Sequence, residues 1–307
     1  MPNIDSLRTK YDSERIFLIG NGPSLSQTPL ESLTSEVTLA MNKINKIYSK
    51  SEWGPSIYYN ITSVQDIKKH NGLKLEDIIM YIEENIDIES DCIIHRSFKK
   101  FFQKKENIYY VDRFQLNNRE VPFHNLSIEN IESMDYAHLM EYWSENVSYL
   151  VYVYHTMYAA IQTAVSLGFK KIYLVGCDLG MDYINPHMIF ESAMDPFLFE
   201  GSPTEYVRSA AKRGCLFRSV LNAVALKSIW KIMDFDLGKY LSVKSEGYFS
   251  RDYADFNVKS GKKVDREIRK SHVAARRICE KKDVKIYNAT LGGELEVHER
   301  VKLNTVI

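Results

Sequence analysis

The chain has 307 residues, of which 45% are hydrophobic, so it can bury a substantial core and is not a disordered polypeptide. It carries 40 Lys and Arg against 40 Asp and Glu, and this balance gives no basis for binding nucleic acid or an anionic membrane. Its four cysteines lie far apart in sequence, which argues against a disulfide framework or a structural zinc site and favours a reducing cytoplasm. No apolar run approaches the roughly 20 residues of a membrane span, and the N-terminus lacks a secretory apolar core. We therefore expect a soluble cytoplasmic protein with no integral membrane segment.

Short apolar runs in the first half of the chain predict buried strands, because each run stops at turn-forming or polar residues. These runs cover 15–20, 37–41, 56–60, 92–95 and 108–111. Helical spacing is present over 75–86, and a basic helix is predicted over 97–105. The stretch 112–148 is polar and irregular, and we interpret it as a lid inserted over the core. The alternative is a poorly patterned part of the core itself.

A helix followed by a strand organises the second half of the chain. The helix is predicted from Thr156 to Leu167, with Thr156 as its N-cap and Gly168 as its stop, and the strand covers 172–176. Such a unit is typical of parallel α/β sheets. A second lid is predicted over 182–261, and a last strand over 285–287. The sequence thus predicts one Rossmann-like α/β domain over 1–307, with a mostly parallel sheet, helices on both faces and two lid segments.

The stretch 259–285 is strongly basic, with 11 Lys and Arg against 4 Asp and Glu, and it has helical spacing. One interpretation is the solvated face of an amphipathic helix. The other is attraction of an anionic substrate.

The turn Gly20-Asn21-Gly22-Pro23-Ser24 is the most informative segment. Ligands of open parallel sheets bind beyond the carboxyl ends of the strands. Glycines at Gly20 and Gly22 permit positive φ and a close approach of the backbone to a phosphate. The Asn21 amide and the Ser24 hydroxyl add hydrogen-bonding groups. The segment matches neither G-x-G-x-x-G nor a P-loop, and an ordinary strand-ending turn is the alternative.

Polar residues end three other predicted strands: Asn42, Asn60 and Asp178 follow or close the runs that precede them. Together with Asn21 they predict a polar nucleotide cleft at one edge of the sheet. Asn is also common in turns, which is the alternative for Asn42 and Asn60. Asp178 has the alternative of bonding loop amides.

Several segments resemble bacterial CMP-sialic-acid-dependent sialyltransferases: 20–25, 41–42, 59–60 and 168–178. The same segments resemble a broader family that includes the MptE-like 6-hydroxymethylpterin pyrophosphokinases and proteins of surface-polysaccharide clusters. The ending 286–296 is especially similar to this broader family.

The sialyltransferase resemblance implies inverting transfer from a CMP-sugar without a metal. In that resemblance Asn21, Asn42 and Asn60 hold the cytidine monophosphate and the donor, and Thr156 lies near the carboxylate of the donor sugar. Tyr183 lies close to the positions of two tyrosines that stabilise the leaving phosphate. His272 is the candidate base, with a satisfied histidine on a helix face as the alternative.

The broader family has a histidine several residues after the G-x-D segment, and His187 fits this position. His187 would donate a hydrogen bond to the leaving phosphate or act as general acid or base, and a loop histidine without such a role is the alternative. His155 is a further candidate, with helix capping as its alternative.

These observations lead to three functional hypotheses. The first is a cytoplasmic glycosyltransferase that moves an acidic nonulosonate from a CMP-activated donor to a glycan acceptor. The second is ATP-dependent pyrophosphoryl transfer to a hydroxymethylpterin, with Mg²⁺ held by Asp178 and Asp182. The third is a non-catalytic nucleotide-binding protein.

Overall fold

A computed structural model describes residues 2–48, 51–69, 74–102, 105–115, 122–153, 155–179 and 261–307 of the chain. All of them belong to one compact unit. Apart from Gly261, the predicted second lid at 182–261 lies outside these residues.

The core of the described residues is a nine-stranded sheet in which every neighbouring pair is parallel. Its spatial order is β6-β5-β4-β3-β2-β1-β7-β8-β9. The strands are β1 (Arg15–Ile19), β2 (Thr38–Met41), β3 (Ile57–Asn60), β4 (Asp91–His95), β5 (Ile108–Gln115), β6 (Tyr149–Tyr152), β7 (Lys171–Val175), β8 (Lys285–Asn288) and β9 (Glu299–Arg300).

Helices cover both faces of this sheet, which confirms the predicted Rossmann-like α/β class. The helices are α1 (Ser6–Lys10), α2 (Val64–Lys69), α3 (Leu75–Asp87), α4 (Ile128–Ser133), α5 (Tyr136–Met140), α6 (Thr156–Ser166) and α7 (Gly261–Lys281). Short 3₁₀ helices include Pro23–Gln27 and Arg96–Phe98. The prediction of a helix over 97–105 is wrong. Among the described residues of this stretch, only 97 and 98 are helical, and they belong to the 3₁₀ helix Arg96–Phe98. None of the described helices is long and apolar enough to cross a membrane.

Alternate side chains of the strands feed two separate hydrophobic clusters. Ile16 and Leu18 of β1 pack in the cluster that contains α4 to α7, whereas Phe17 and Ile19 pack in the cluster that contains α2 and α3. Both sets are fully buried. This two-sided burial explains why the strands are continuous apolar runs in the sequence and not alternating ones.

The described part of the segment interpreted as a lid, 112–148, belongs to the fold of the core. Residues 112–115 complete β5, and 122–148 contains α4 and α5. Its apolar side chains are buried in the same cluster as α6 and α7: Phe123, Leu126, Ile131, Leu139, Tyr142, Trp143 and Val147. These residues match the second interpretation of the segment, a poorly patterned part of the core.

The charges of the basic helix α7 are largely used inside the protein. Lys270 is buried, and its Nζ donates to the carbonyl oxygens of His124 and Leu126 at 3.0 and 2.8 Å. Arg277 donates to the carbonyl oxygen of Met134 at 2.6 Å. Arg276 pairs with Glu132 of α4. Neither interpretation made from the sequence anticipated that these cations fasten α7 to the 122–134 segment.

The order of the strands creates a switch point beside β1. From β1 the chain adds β2 to β6 in one direction, then returns to form β7 on the opposite side of β1. The strand order thus reverses beside β1, and the carboxyl edge at such a switch point is where open α/β sheets bind ligands.

Candidate functional site

The loops after β1 and β7 meet at this switch point. Gly20 donates its backbone N–H to Val175 at 2.7 Å, and Gly22 donates to Gly176 at 2.8 Å. Asn21, Asn42, Asn60 and Asp178 all lie at the carboxyl edge, because the strands that precede them are parallel neighbours. The motif singled out in the sequence thus lies at the position where the topology itself predicts a ligand.

Asp178 ties the two loops together through the space beside Gly22. Its Oδ2 accepts hydrogen bonds from the Ser24 backbone N–H at 3.3 Å and from the Ser24 hydroxyl at 2.8 Å. A Cβ atom on Gly22 would lie 1.9 Å from this oxygen, and one on Gly20 would lie 2.4 Å from the Gly176 carbonyl oxygen. Both glycines are therefore required by contacts within the protein.

This contact corrects part of the sequence-based interpretation of Gly22. Its φ is −66°, which any residue adopts, so the predicted need for positive φ is wrong. The volume expected to receive a phosphate next to Gly22 is the volume that the Asp178 carboxylate fills.

The Asp178 carboxyl group is partly buried, and burial raises its pKa above the usual value. The hydrogen bonds from Ser24 and the positive charge of Arg300 act in the opposite direction. Bonding of loop groups, the structural alternative for Asp178, is therefore present. Among the described residues no group of three or more His, Cys, Asp or Glu side chains is arranged to hold a metal ion.

Asn21 is buried, and only one of the two polar atoms of its side-chain amide has a hydrogen-bond partner among the described residues. Its Nδ2 donates to the carbonyl oxygen of Met41 at 2.9 Å. Its Oδ1 is buried and has no hydrogen-bond partner among the described residues. Because an unpaired buried polar group is costly, this oxygen is a ready acceptor for a ligand N–H or O–H group.

Asn42 and Asn60 are engaged in turns. Asn42 has φ +57°, and its carbonyl oxygen accepts the Tyr58 hydroxyl at 2.7 Å. Asn60 is buried, its Oδ1 accepts the Thr62 backbone N–H at 3.1 Å, and its Nδ2 donates to the Tyr58 hydroxyl at 3.3 Å. These contacts match the turn interpretation of both residues, and the parallel strands that precede them place both at the carboxyl edge of the sheet.

The N-cap of α6 lies one residue earlier than predicted: it is His155, and Thr156 is the first helical residue. The His155 side chain makes no capping hydrogen bond. It contacts the Ser271 hydroxyl instead, through Nε2 at 2.6 Å.

His272, the candidate base, lies in the interior. Its exposed fraction is 2%, and its Nδ1 contacts Nε2 of His298 at 2.9 Å. Burial, with the neighbouring His298 and His155, lowers its pKa well below the usual value. This matches a satisfied histidine on a helix face. The other proposed residues, His187, Tyr183 and Asp182, lie outside the described residues.

A charged cluster at the ends of β3 to β5 was missed by the sequence analysis. Asp66 accepts the Ser63 backbone N–H at 3.1 Å and pairs with Arg113, whose guanidinium lies 4.5 Å from the centre of the Tyr152 ring. Burial raises the pKa of Asp66, but the Ser63 hydroxyl and Arg113 outweigh this effect and lower it. Arg113 was missed because the predicted strand stopped at 111, four residues before β5 ends.

Comparisons of this chain with protein-family models, with curated proteins and with solved structures found no match.

Proposed function

We propose that this protein is a glycosyltransferase that transfers a sugar, most simply an acidic nonulosonate, from a CMP-activated donor during surface-glycan biosynthesis. The observation that carries the proposal is the position of the Gly20–Ser24 loop. It follows β1 at the switch point of the sheet, and it holds a buried amide oxygen without a partner among the described residues. The resemblance of the same loop to sialyltransferases supplies the donor class.

In this proposal Asn21 binds the nucleotide of the donor through a hydrogen bond. Its Oδ1 accepts a hydrogen bond from an amino or hydroxyl group of the donor, while its Nδ2 stays on Met41 and fixes the orientation of the amide. Asn42 and Asn60 shape the neighbouring wall of the cleft through the Tyr58 hydroxyl. His187 supplies acid–base or charge stabilisation at the leaving phosphate.

The environment of Asp178 supports transfer without a metal at this residue. Oδ2 already accepts two hydrogen bonds from Ser24 and packs against the Gly22 backbone. A role in Mg²⁺ binding, as the pyrophosphokinase hypothesis requires, would compete with these contacts.

Nucleotide binding gives the first test. Because a ligand that binds only the folded state stabilises it by about 2.7 kcal/mol at 100 times Kd, CMP should raise the melting temperature by several degrees without metal. A response to ATP that requires Mg²⁺ would favour the pyrophosphokinase instead. A panel of CMP, CDP, UDP, GDP and ATP with no response would contradict both enzymatic hypotheses.

The role of Asn21 is tested by Asn21→Ala, which should weaken CMP affinity by at least about tenfold in calorimetric titration, the loss of roughly one hydrogen bond. Asn45→Ala is the matched control. Asn45 is also buried and also has an unpaired Oδ1 among the described residues, but its Nδ2 donates to Tyr81 of α3, away from the Gly20–Ser24 loop. Equal CMP affinity in the two variants would remove Asn21 from the site.

A further inference from the structure

Three histidines from distant parts of the sequence form one cluster, in which His272 and His298 are buried and His155 is partly buried. His155 precedes α6, His272 lies within α7, and His298 lies between β8 and β9. The ring centres of His155 and His272 are 5.2 Å apart, and those of His272 and His298 are 5.1 Å apart. We refer to these three residues as the histidine cluster.

The hydrogen bonds of the cluster assign most of its protons. The Ser271 hydroxyl donates to the carbonyl oxygen of Ile268 at 2.7 Å, so it can only accept from His155. His155 is therefore the tautomer that carries its proton on Nε2. The contact between Nδ1 of His272 and Nε2 of His298 needs one proton between the two nitrogens, and protons on both would abolish it.

The surroundings oppose any additional proton. Nδ1 of His298 is buried and has no partner among the described residues, so an added N–H⁺ there would have no acceptor. Arg276 of α7 adds a positive charge near His298, although it also pairs with Glu132 of α4 and Glu280.

One turn before His272 on α7, the buried residues Glu267 and Lys270 form an ion pair at 2.8 Å. Arg269 of the same helix pairs with Glu294 of the β8–β9 loop at 3.3 Å. Burial lowers the pKa of His155 to about 3, and burial with Arg276 lowers that of His298 to about 3.

The cluster is connected to the candidate site through the loop between β8 and β9. Glu294 of this loop donates its N–H to the Leu179 carbonyl oxygen at 2.6 Å, directly after Asp178. A Cβ on Gly293 would lie 3.1 Å from Cα of Asp178, so the two chains are in close contact. His298 anchors the end of the same loop on α7.

We propose that the histidine cluster is a pH-sensitive latch that holds α7 and the β8–β9 loop against the start of α6. In the neutral form the latch is closed and the loop supports Asp178 at the switch point. An added proton either enters the contact between His272 and His298 and abolishes it, or leaves an N–H⁺ on Nδ1 of His298 with no acceptor among the described residues. Both outcomes destabilise the closed latch and loosen the loop. The latch itself does not depend on the proposed function; only its effect on nucleotide binding does.

The direction of the pH effect follows from the lowered pKa values. Each histidine is neutral in the folded protein but binds a proton below about pH 6.5 when unfolded. The contribution of the three histidines to the free energy of unfolding is therefore fully present above about pH 6.5. It is lost as the pH falls from there toward the pKa values of the histidines in the folded protein. Each histidine lowers the folding constant by up to about tenfold per pH unit in this window, and the three together by up to about a thousandfold.

Urea unfolding of the full chain between about pH 5 and pH 8 tests the latch without any nucleotide. Glutamine at position 298 cannot titrate. The fall in the folding constant per pH unit should therefore be about ten times smaller in His298→Gln than in the unchanged chain, and this difference does not depend on the stability of the variant at pH 8. His138→Gln is the control. His138 is exposed and its pKa is raised by Asp135, so this variant should keep the full acid loss. The same acid slope in His298→Gln and the unchanged chain would overturn the proposal.

A second measurement on the unchanged chain covers the case in which His298→Gln does not fold. Imidazole NMR resonances of the cluster should stay at neutral positions down to about pH 5.5, while His138, whose pKa Asp135 raises, should titrate above the usual pH of a histidine. Hydrogen exchange at the Glu294 amide, corrected for its intrinsic rate, should accelerate as the latch opens below that pH. Cluster histidines that titrate near pH 6.5 in the folded protein, or a Glu294 amide unaffected by pH, would contradict the latch.

Discussion

Gly22 illustrates how a single missing Cβ sets the geometry of the carboxyl edge. The Asp178 carboxylate occupies the place where that atom would be, and from there it binds both donors of Ser24. The glycine thus joins two loops that are separated by more than half the chain. Glycine is needed at this position because a side chain would clash with Asp178, and not because of the backbone conformation, since the φ of Gly22 is −66°.

Gly22→Ala should destabilise the protein by about 1–3 kcal/mol, the usual cost of overpacking. The same change should cost at least about 1 kcal/mol less in an Asp178→Ala background, because the closest clash, with the carboxylate oxygen at 1.9 Å, is gone, while the contact with the Gly176 carbonyl oxygen at 2.8 Å remains. Urea unfolding of the four proteins in this cycle measures the difference.

Gly292→Ala serves as the control for this cycle. Gly292 has φ +76° and open space around its Cβ position, so its cost of about 1–2 kcal/mol arises from the backbone conformation and should not depend on Asp178. If Gly22→Ala costs the same with and without Asp178, the steric explanation is wrong.

His187→Ala should lower turnover from a CMP-activated donor by more than about tenfold, the low end for acid–base or charge stabilisation, with little change in melting temperature. His124→Ala, a change at an exposed side chain of the described fold, should leave turnover unchanged. Normal turnover in a folded His187→Ala protein would exclude the role assigned to this histidine.

At the level of whole elements, α7 shows that a local excess of charge does not identify a binding surface. Its sequence is basic, but Lys270, Arg276 and Arg277 point at carbonyl oxygens or carboxylates of the 122–134 segment. That segment has few regular elements of its own, and these cations satisfy the carbonyl groups that its short helices leave free. The helix therefore holds an irregular part of the core in place through these contacts.

Lys270→Met should destabilise the protein by about 3 kcal/mol, because it leaves the buried Glu267 with only the more distant Arg266, 3.9 Å away, and removes the donor to two carbonyl oxygens. Lys281→Met, at an exposed position of the same helix, should change stability by no more than about 0.5 kcal/mol. Urea unfolding near pH 7.5 provides both values. The double variant Lys270→Met/Glu267→Met should recover part of the loss, and no recovery would contradict the ion-pair explanation.

At the scale of the whole molecule, both faces of the parallel sheet are covered by helices, and the three described thiols lie fully or partly buried in this arrangement. Cys92 and Cys279 are buried, and Cys177 is partly buried. Burial raises the pKa of all three thiols, that of Cys279 to about 12. Since the thiolate is the reactive form, the folded protein should protect these three residues at ordinary pH.

In a Cys215→Ala protein, which retains only the three described thiols, alkylation near pH 8 should be slow in buffer and complete in strong denaturant. Raising the pH from about 8 to about 9 should accelerate the reaction of the native thiols about tenfold, because their raised pKa values lie far above this range, whereas a small exposed thiol that titrates in this range should accelerate only about threefold. Rapid labelling of one native thiol would show that the sheet or its loops open locally at that residue.

The sequence alone was enough to predict the fold class. Apolar runs buried on both faces, alternating with helices, specify a parallel α/β sheet because few other arrangements cover such strands. The bounds of α3 and α6 were predicted to within one residue, since their helical spacing is local information. The polar strand ends Asn21, Asn42, Asn60 and Asp178 were also placed at a common edge, because parallel strands end on the same side.

Only the tertiary structure decided which groups those residues contact. The volume beside Gly22 is filled by Asp178, and His155 finds Ser271 and not the end of its own helix. β6 was missed, and 112–148 was interpreted as a lid with the core as the alternative, because short elements with irregular spacing leave little periodic signal. His298 carries no local signal at all. Hydrophobic periodicity records whether a residue is buried, whereas the partner of a buried polar group comes from a distant segment, and that pairing is set when the sheet and its covering helices assemble.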